Sequence, residues 1–267
     1  MKTYLIGTSG YIGSRKEWLK IPNLKCLEIN ATFYRLPTNK SIDNYNELTK
    51  LPEHKGLVFS VKVSKYITHM KRLKNCKQAF NKFWKSIKGL NANLKVLLFQ
   101  LPPSFKYNKM NLERLKKMSY IKKKNTAGEA INIVFEFRDD SWFKKKDIIS
   151  LFKSRGWTLG GTMIKKNKNQ YWMGDLSAGL NLPEKTSDCT YLRIHGARGY
   201  RGGCSKKQLV SIKNKINKQN TNINYIIFNN VFFNNRRKTC KLSTRYAALC
   251  NANEMNLMVK TRKKKLK

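Results

Sequence analysis

Short strand-like runs recur down the whole chain: Thr3–Thr8, Cys26–Asn30, Leu57–Val63, Lys95–Leu101, Ile131–Arg138, Trp157–Met163, Cys189–His195 and Asn224–Asn230. In the second, third, fourth, fifth and seventh, one face is apolar and the other ends in a polar residue with a period of two, the mark of β-strands with two unlike faces. The eight runs begin 23 to 38 residues apart, the spacing of a strand followed by a returning helix. Between them the period lengthens. In LKNCKQAFNKFWKSIKGL, Leu73, Cys76, Ala79, Phe80, Phe83, Trp84, Ile87 and Leu90 fall on one helical face. Further helices are predicted over Ser41–Leu51, Asn111–Lys122, Lys145–Lys153, Ser205–Asn217 and about Lys241–Cys250. The link Ile164–Asp188 has no helical period and reads as a long loop.

Eight alternating strand–helix units predict an α/β fold, a single (β/α)8 TIM-type barrel over residues 1–256, with a basic, disordered tail at 257–267. In such a barrel one parity of each strand faces the helices and the other faces the interior. The second strand sets Cys26, Glu28 and Asn30 against Leu27 and Ile29; the third sets Ser60 and Lys62 against Phe59 and Val61. The fourth ends its inner face in Gln100, the seventh carries Tyr191, Arg193 and His195, and Asn229 closes the eighth. On the fifth, VFEFRDDSW puts Glu136 and Arg138 together with Phe135 and Phe137 opposite. Charges of both signs thus converge on the C-terminal mouth, where barrel enzymes carry their active sites.

This parity defines the candidate site. Glu28, Glu136, His195 and His69 are the candidate acids and bases, suiting a hydrolase- or lyase-type reaction. Lys62, Arg138 and Arg193 suit an anionic group, with Asn30, Tyr34, Gln100, Trp142 and Asn229 completing a substrate-binding set. Tyr34, Trp142 and Phe33 offer an aromatic wall for a ring or base, with packing under the rim as the competing reading. A divalent metal on Glu and His ligands is the cofactor alternative, opposed by three cations in the same mouth; no cofactor is assigned. Ser9 in GTSG lacks the flanking pattern of a nucleophile elbow and reads as a backbone turn. HGARGYRGG after the seventh strand offers glycines and arginines to a phosphate, as do Arg236, Arg237 and Lys238 after the eighth. The competing reading of the mouth is a structural network in which the opposite charges neutralise one another.

Composition changes the picture in one respect. With 56 Lys and Arg against 15 Asp and Glu the net charge is +41, a field that attracts polyanions. A non-catalytic nucleic-acid-binding protein is therefore the rival to a barrel enzyme acting on a small anionic substrate. The six cysteines form no C-x-x-C pair, which argues against a zinc module or a disulfide framework. No apolar run reaches membrane-spanning length and MKTYLIGTSGY is too short for a secretory segment, so an intracellular, cytoplasmic protein without a membrane partner is expected.

Against these segments the chain resembles the DUF72, or YecE-like, family. The markers are GTSGY (7–11), EINATFYRLP (28–37), Lys62 with ITH ending at His69, FQLPPSF (99–105), EFRDDSW (136–142), YLRIHG (191–196) and YIIFNN (225–230). The resemblance implies a TIM-type barrel whose polar residues line a pocket at the mouth, and it supplies no reaction. Departures fall on the rim. Tyr11 stands where the family usually has Trp, Asp139 where His is common, and GGTMI (160–164) where many members carry an Asp. VFFNNRRKTC (231–240) is also unlike the family's usual small-residue start to the last helix.

Overall fold

A computed structural model describes residues 2–143, 145–163, 182–196, 202–229 and 246–260. Nine parallel strands form one sheet: β1 (Thr3–Ser9), β2 (Cys26–Ile29), β3 (Val58–Lys62), β4 (Leu94–Gln100), β5 (Asn132–Glu136), β6 (Thr158–Leu159), β7 (Gly161–Met163), β8 (Cys189–Ile194) and β9 (Ile223–Phe228). Their order is β6-β5-β4-β3-β2-β1-β9-β8-β7, so the two edge strands are neighbours in sequence, separated by Gly160 alone. Together they are the sixth of the eight expected strands, broken in the middle, and through them the sheet curls into a nearly closed barrel. Gly160 donates its N–H to the Phe135 carbonyl at 2.8 Å, and a Cβ there would stand 2.9 Å from Val134 Cγ1. The break needs a residue without a side chain.

Among the described residues eight helices clothe the barrel: α1 (Arg15–Leu19), α2 (Ala31–Tyr34), α3 (Asn39–Lys50), α4 (Lys77–Ile87), α5 (Lys109–Lys116), α6 (Lys146–Arg155), α7 (Lys206–Lys218) and α8 (Ala247–Lys260). Their buried faces follow helical spacing, as in Phe80, Phe83 and Ile87 of α4 or Leu209, Ile212 and Ile216 of α7. Chain chemistry sets their ends. Ser205 and Gln208 form a reciprocal capping box on α7, and Gly156 stops α6 in the left-handed region at φ 66°. The long amphipathic run starting at Leu73 divides: a π-helical turn (Tyr66–Met70) and a loop with positive φ at Arg72, Leu73 and Asn75 precede α4, while Leu73 and Cys76 remain buried. The last helix continues to Lys260, beyond residue 256; residues 261–267, and positions 164–181 of the long loop after the sixth strand, lie outside the described residues.

The interior has two separate apolar regions. The larger lies between sheet and helices, with the outward residues Phe99, Phe135 and Phe137 at its centre. The smaller fills the lower barrel with Cys26, Val96, Leu98, Val134, Cys189, Tyr191, Tyr225 and Ile227. It forms the floor on which the polar mouth rests. Cys26, Cys76, Cys189 and Cys204 are free and buried, whereas Cys250 is disulfide-bonded, a cross-link the cysteine spacing did not predict. Among the described residues no helix is long and apolar enough to cross a membrane.

Candidate functional site

Directly above that floor, the inward residues form a connected polar belt. Parallel register sets Ser9, Glu28 and Ser60 side by side on β1, β2 and β3, Gln100 beside Glu136 on β4 and β5, and Thr162 beside Arg193 on β7 and β8. Gly7 makes the β1–β2 approach feasible, since a Cβ there would meet the Cys26 carbonyl oxygen at 1.7 Å.

Arg193, 2% exposed, is the hub. Its Nη2 donates to Glu28 Oε1 at 2.8 Å and to Ser9 Oγ at 3.1 Å, and its Nη1 reaches both carboxylate oxygens of Glu136 at 3.2 Å. Each carboxylate has further partners. Glu28 accepts from Ser9 Oγ at 2.5 Å and from the Tyr191 hydroxyl at 2.7 Å, which is itself 2.7 Å from Ser60 Oγ. Glu136 accepts from Arg138 Nε at 2.6 Å. Asn30 Nδ2 donates to Ser9 Oγ. Ser9, expected to be only a turn residue, therefore links β1 to both Glu28 and Arg193.

His195 is fully buried beside Arg138, with Nη2 of the arginine 3.3 Å from Nε2 of the ring. A guanidinium can only donate, so Nε2 accepts and the ring proton sits on Nδ1. Asn229 lies 3.3 Å from that Nδ1 through its carboxamide, whose oxygen can take the proton if the amide is turned. Burial, then the Arg138 and Arg193 charges, push the His195 pKa well below its ordinary value and keep the ring neutral. Burial pushes the Glu136 carboxyl up, but the Arg138 and Arg193 guanidiniums outweigh it and hold the group well below the usual carboxylate range.

Lys62 ends β3, and His69 lies in the π-helical turn that follows it. Lys62 Nζ lies 3.9 Å over the Phe33 ring, and His69 meets the same ring edge-on at 4.9 Å between centroids, with Thr68 Oγ1 2.9 Å from its Nδ1. Burial, with Arg193 and Arg138 opposing Glu28 and Glu136, lowers Lys62 to about 8. Burial, then Lys62 and other nearby cations, lowers His69 to about 4.

The remaining expected residues divide. Gln100 is buried in the belt but its Nε2 donates to the Leu101 carbonyl at 2.8 Å. Tyr34 is 79% exposed, edge-on to Phe33 at the rim. Trp142 lies behind the barrel wall, stacked 4.3 Å from Phe137 and 5.2 Å from Phe105, its Nε1 donating to the Phe105 carbonyl. It forms no wall with Tyr34 and Phe33. Thr162 was not singled out from the sequence; it is buried next to Arg193 and its Oγ1 has no partner among the described residues, as is true of Arg193 Nε and Asn30 Oδ1. Positions 197–201 of HGARGYRGG and Arg236, Arg237 and Lys238 lie outside the described residues. No group of three or more His, Cys, Asp or Glu side chains among the described residues is arranged to hold a metal ion. Away from the axis, a basic groove of about 440 Å³ between the start of α4 and α5 carries Lys74, Lys77, Arg114 and Lys117.

The sequence model described as "Protein of unknown function DUF72" matches residues 16–265. Among solved structures, a DUF72 family protein of Thermotoga maritima aligns over 97% of this chain and 99% of its own, with a TM-score of 0.70 and 22% identity. One from Enterococcus faecalis covers 97% of this chain and 98% of its own, with a TM-score of 0.70 and 16% identity. Both share the barrel fold. No curated protein matches the chain.

Proposed function

The chain belongs to the DUF72 family, and from that premise we propose that it is an enzyme whose barrel mouth binds a small anionic, phosphorylated or nucleic-acid-derived substrate. One observation carries this reading: both carboxylates of the mouth are engaged by Arg193, and Glu136 by Arg138 as well, while Lys62 has no salt bridge among the described residues. An incoming anion thus meets Lys62 and the outer edge of Arg138 without competition from a free carboxylate. Arg193 is the strut that aligns the belt rather than the hand that holds substrate. Glu28 and Glu136 serve as its counterions, and the depressed pKa of Glu136 makes that carboxylate a weak proton acceptor.

The test is thermal stabilisation by inorganic phosphate, pyrophosphate and sugar phosphates at moderate salt. A ligand at 100 times its Kd adds roughly 2.7 kcal/mol of stability. The wild type should be stabilised and an Arg138→Met, Lys62→Met variant should not. Equal shifts in both proteins would sink the proposal.

The second reading, a non-catalytic nucleic-acid-binding protein, draws support from the basic groove and the net charge of +41. It requires oligonucleotide binding that falls steeply with salt and ignores substitutions in the mouth.

A further inference from the structure

Three features of Lys62 bear on its chemistry. It is the last residue of β3, and its backbone is fixed there, with Thr32 Oγ1 donating to the Lys62 carbonyl at 2.7 Å. Its Nζ is held 3.9 Å over the Phe33 ring, which keeps water from one side of the amine. The two carboxylates nearest it are already bound by arginine, so no salt bridge anchors it as an ammonium among the described residues.

We propose that Lys62 is a nucleophilic amine and that the substrate of the mouth is a carbonyl compound bearing an anionic group, held on Nζ as a protonated imine. The inference rests on the anion-binding reading, in which Arg138 orients the anionic group and so presents the carbonyl to the amine. Glu28 faces Lys62 from β2, Glu136 and Arg138 from the end of β5, Arg193 and His195 from β8, and His69 from the turn after β3. The carboxylates and the Phe33 ring face favour the ammonium; burial and the guanidiniums oppose them and lower the pKa to about 8. Roughly a tenth of the molecules then carry the free amine at pH 7, against fewer than about one in a thousand for an ordinary lysine near 10.4.

The step balances without an oxidant or reductant. The Nζ lone pair attacks the carbonyl carbon, the C–N bond forms and the C=O π pair moves to oxygen. One N–H proton passes to that oxygen, giving a carbinolamine. A second proton, taken from solvent, lets the hydroxyl leave as water while the nitrogen pair closes the C=N bond. The resulting iminium carries the charge that the ammonium had, opposite Glu28 and Glu136.

The test treats the full chain with glycolaldehyde phosphate or with neutral glycolaldehyde, traps imines with sodium borohydride, and maps adducts by peptide mass spectrometry. Lys62 is expected to label at least tenfold above the average lysine, faster with the phosphate, and with a pH midpoint near 8. Lys62→Arg should abolish that adduct and leave the surface background. Labelling that follows solvent exposure, with Lys62 at or below the average, overturns the proposal even if phosphate stabilises the protein. Equal labelling of Lys62 by both aldehydes supports the amine and instead overturns the anion reading. An Arg138→Met variant should lose the advantage of the phosphate, so that its Lys62 labels at the same rate with both aldehydes.

Discussion

Arg193 divides one guanidinium between two buried carboxylates, so its removal leaves two charges with reduced compensation. Breaking such a pair from one side costs about 3–5 kcal/mol, far more than the net contribution of an intact pair. Arg193→Met should therefore lower stability by about that amount, and adding Glu28→Gln and Glu136→Gln should restore part of it; urea denaturation of the single and triple variants decides. The pH response has a defined sign. Glu136 has a folded pKa below its unfolded value of about 4.3, so its contribution is complete above that value and is lost as pH falls from there toward the folded one. Acid unfolding of Glu136→Gln should accordingly be shallower than that of the wild type. Lys62 runs the other way. Its folded value of about 8 lies below the unfolded one, so the native state binds fewer protons between the two and stability rises with pH through that window. Lys62→Met should gain about 1–3 kcal/mol at pH 7 and lose that gain above about pH 10. A gain unchanged at high pH would mean better packing rather than relief of a buried charge.

At the scale of elements, Trp142 shows where the sequence stopped being readable. Glu28, Glu136, Arg138 and Arg193 lie on or at the ends of strands, where a period of two dictates which side chains turn inward, and all of them meet in the mouth. Trp142 follows β5 in a short 3-10 turn (Asp140–Trp142), where no such period applies, and the backbone turns its ring outward onto Phe137. Trp142→Phe should thus lower stability by about 1–2 kcal/mol, through the lost bond to the Phe105 carbonyl, and leave phosphate affinity unchanged. A weakened affinity would return Trp142 to the site. The division of the sixth strand at Gly160 was equally hidden, because it depends on how closely Val134 approaches rather than on any pattern of hydrophobicity. The role of Ser9 was hidden for a different reason. The first run reads as ending at Thr8, one residue short of it, and its partners come from β2 and β8; which distant strands meet is a property of the closed barrel.

Over the whole molecule, opposite charges are gathered where they are scarce. Two of the 15 acidic residues lie inside the mouth, leaving the outer surface with even fewer anions to set against its lysines. Most outer ion pairs, such as Lys20–Glu17 and Lys50–Glu47, are exposed i,i+3 contacts that contribute little. Net self-repulsion should therefore destabilise the fold at low salt. Raising ionic strength from about 0.01 M to about 0.15 M shortens the Debye length from about 30 Å to about 8 Å. The melting temperature should rise by about 2–6 °C over that range, corresponding to about 1–2 kcal/mol for a chain of this size. The same titration separates the two functions, because an oligonucleotide held by about six phosphate contacts should lose about a thousandfold in affinity between 50 and 200 mM salt. A small anion held by Lys62 and Arg138 inside the barrel is screened far less. If phosphate binding survives the salt that removes the oligonucleotide, and only phosphate binding responds to Arg138→Met, the mouth and the outer surface are separate sites. If both ligands vanish together, the charge of the chain alone accounts for its affinity and the mouth loses its claim to a substrate.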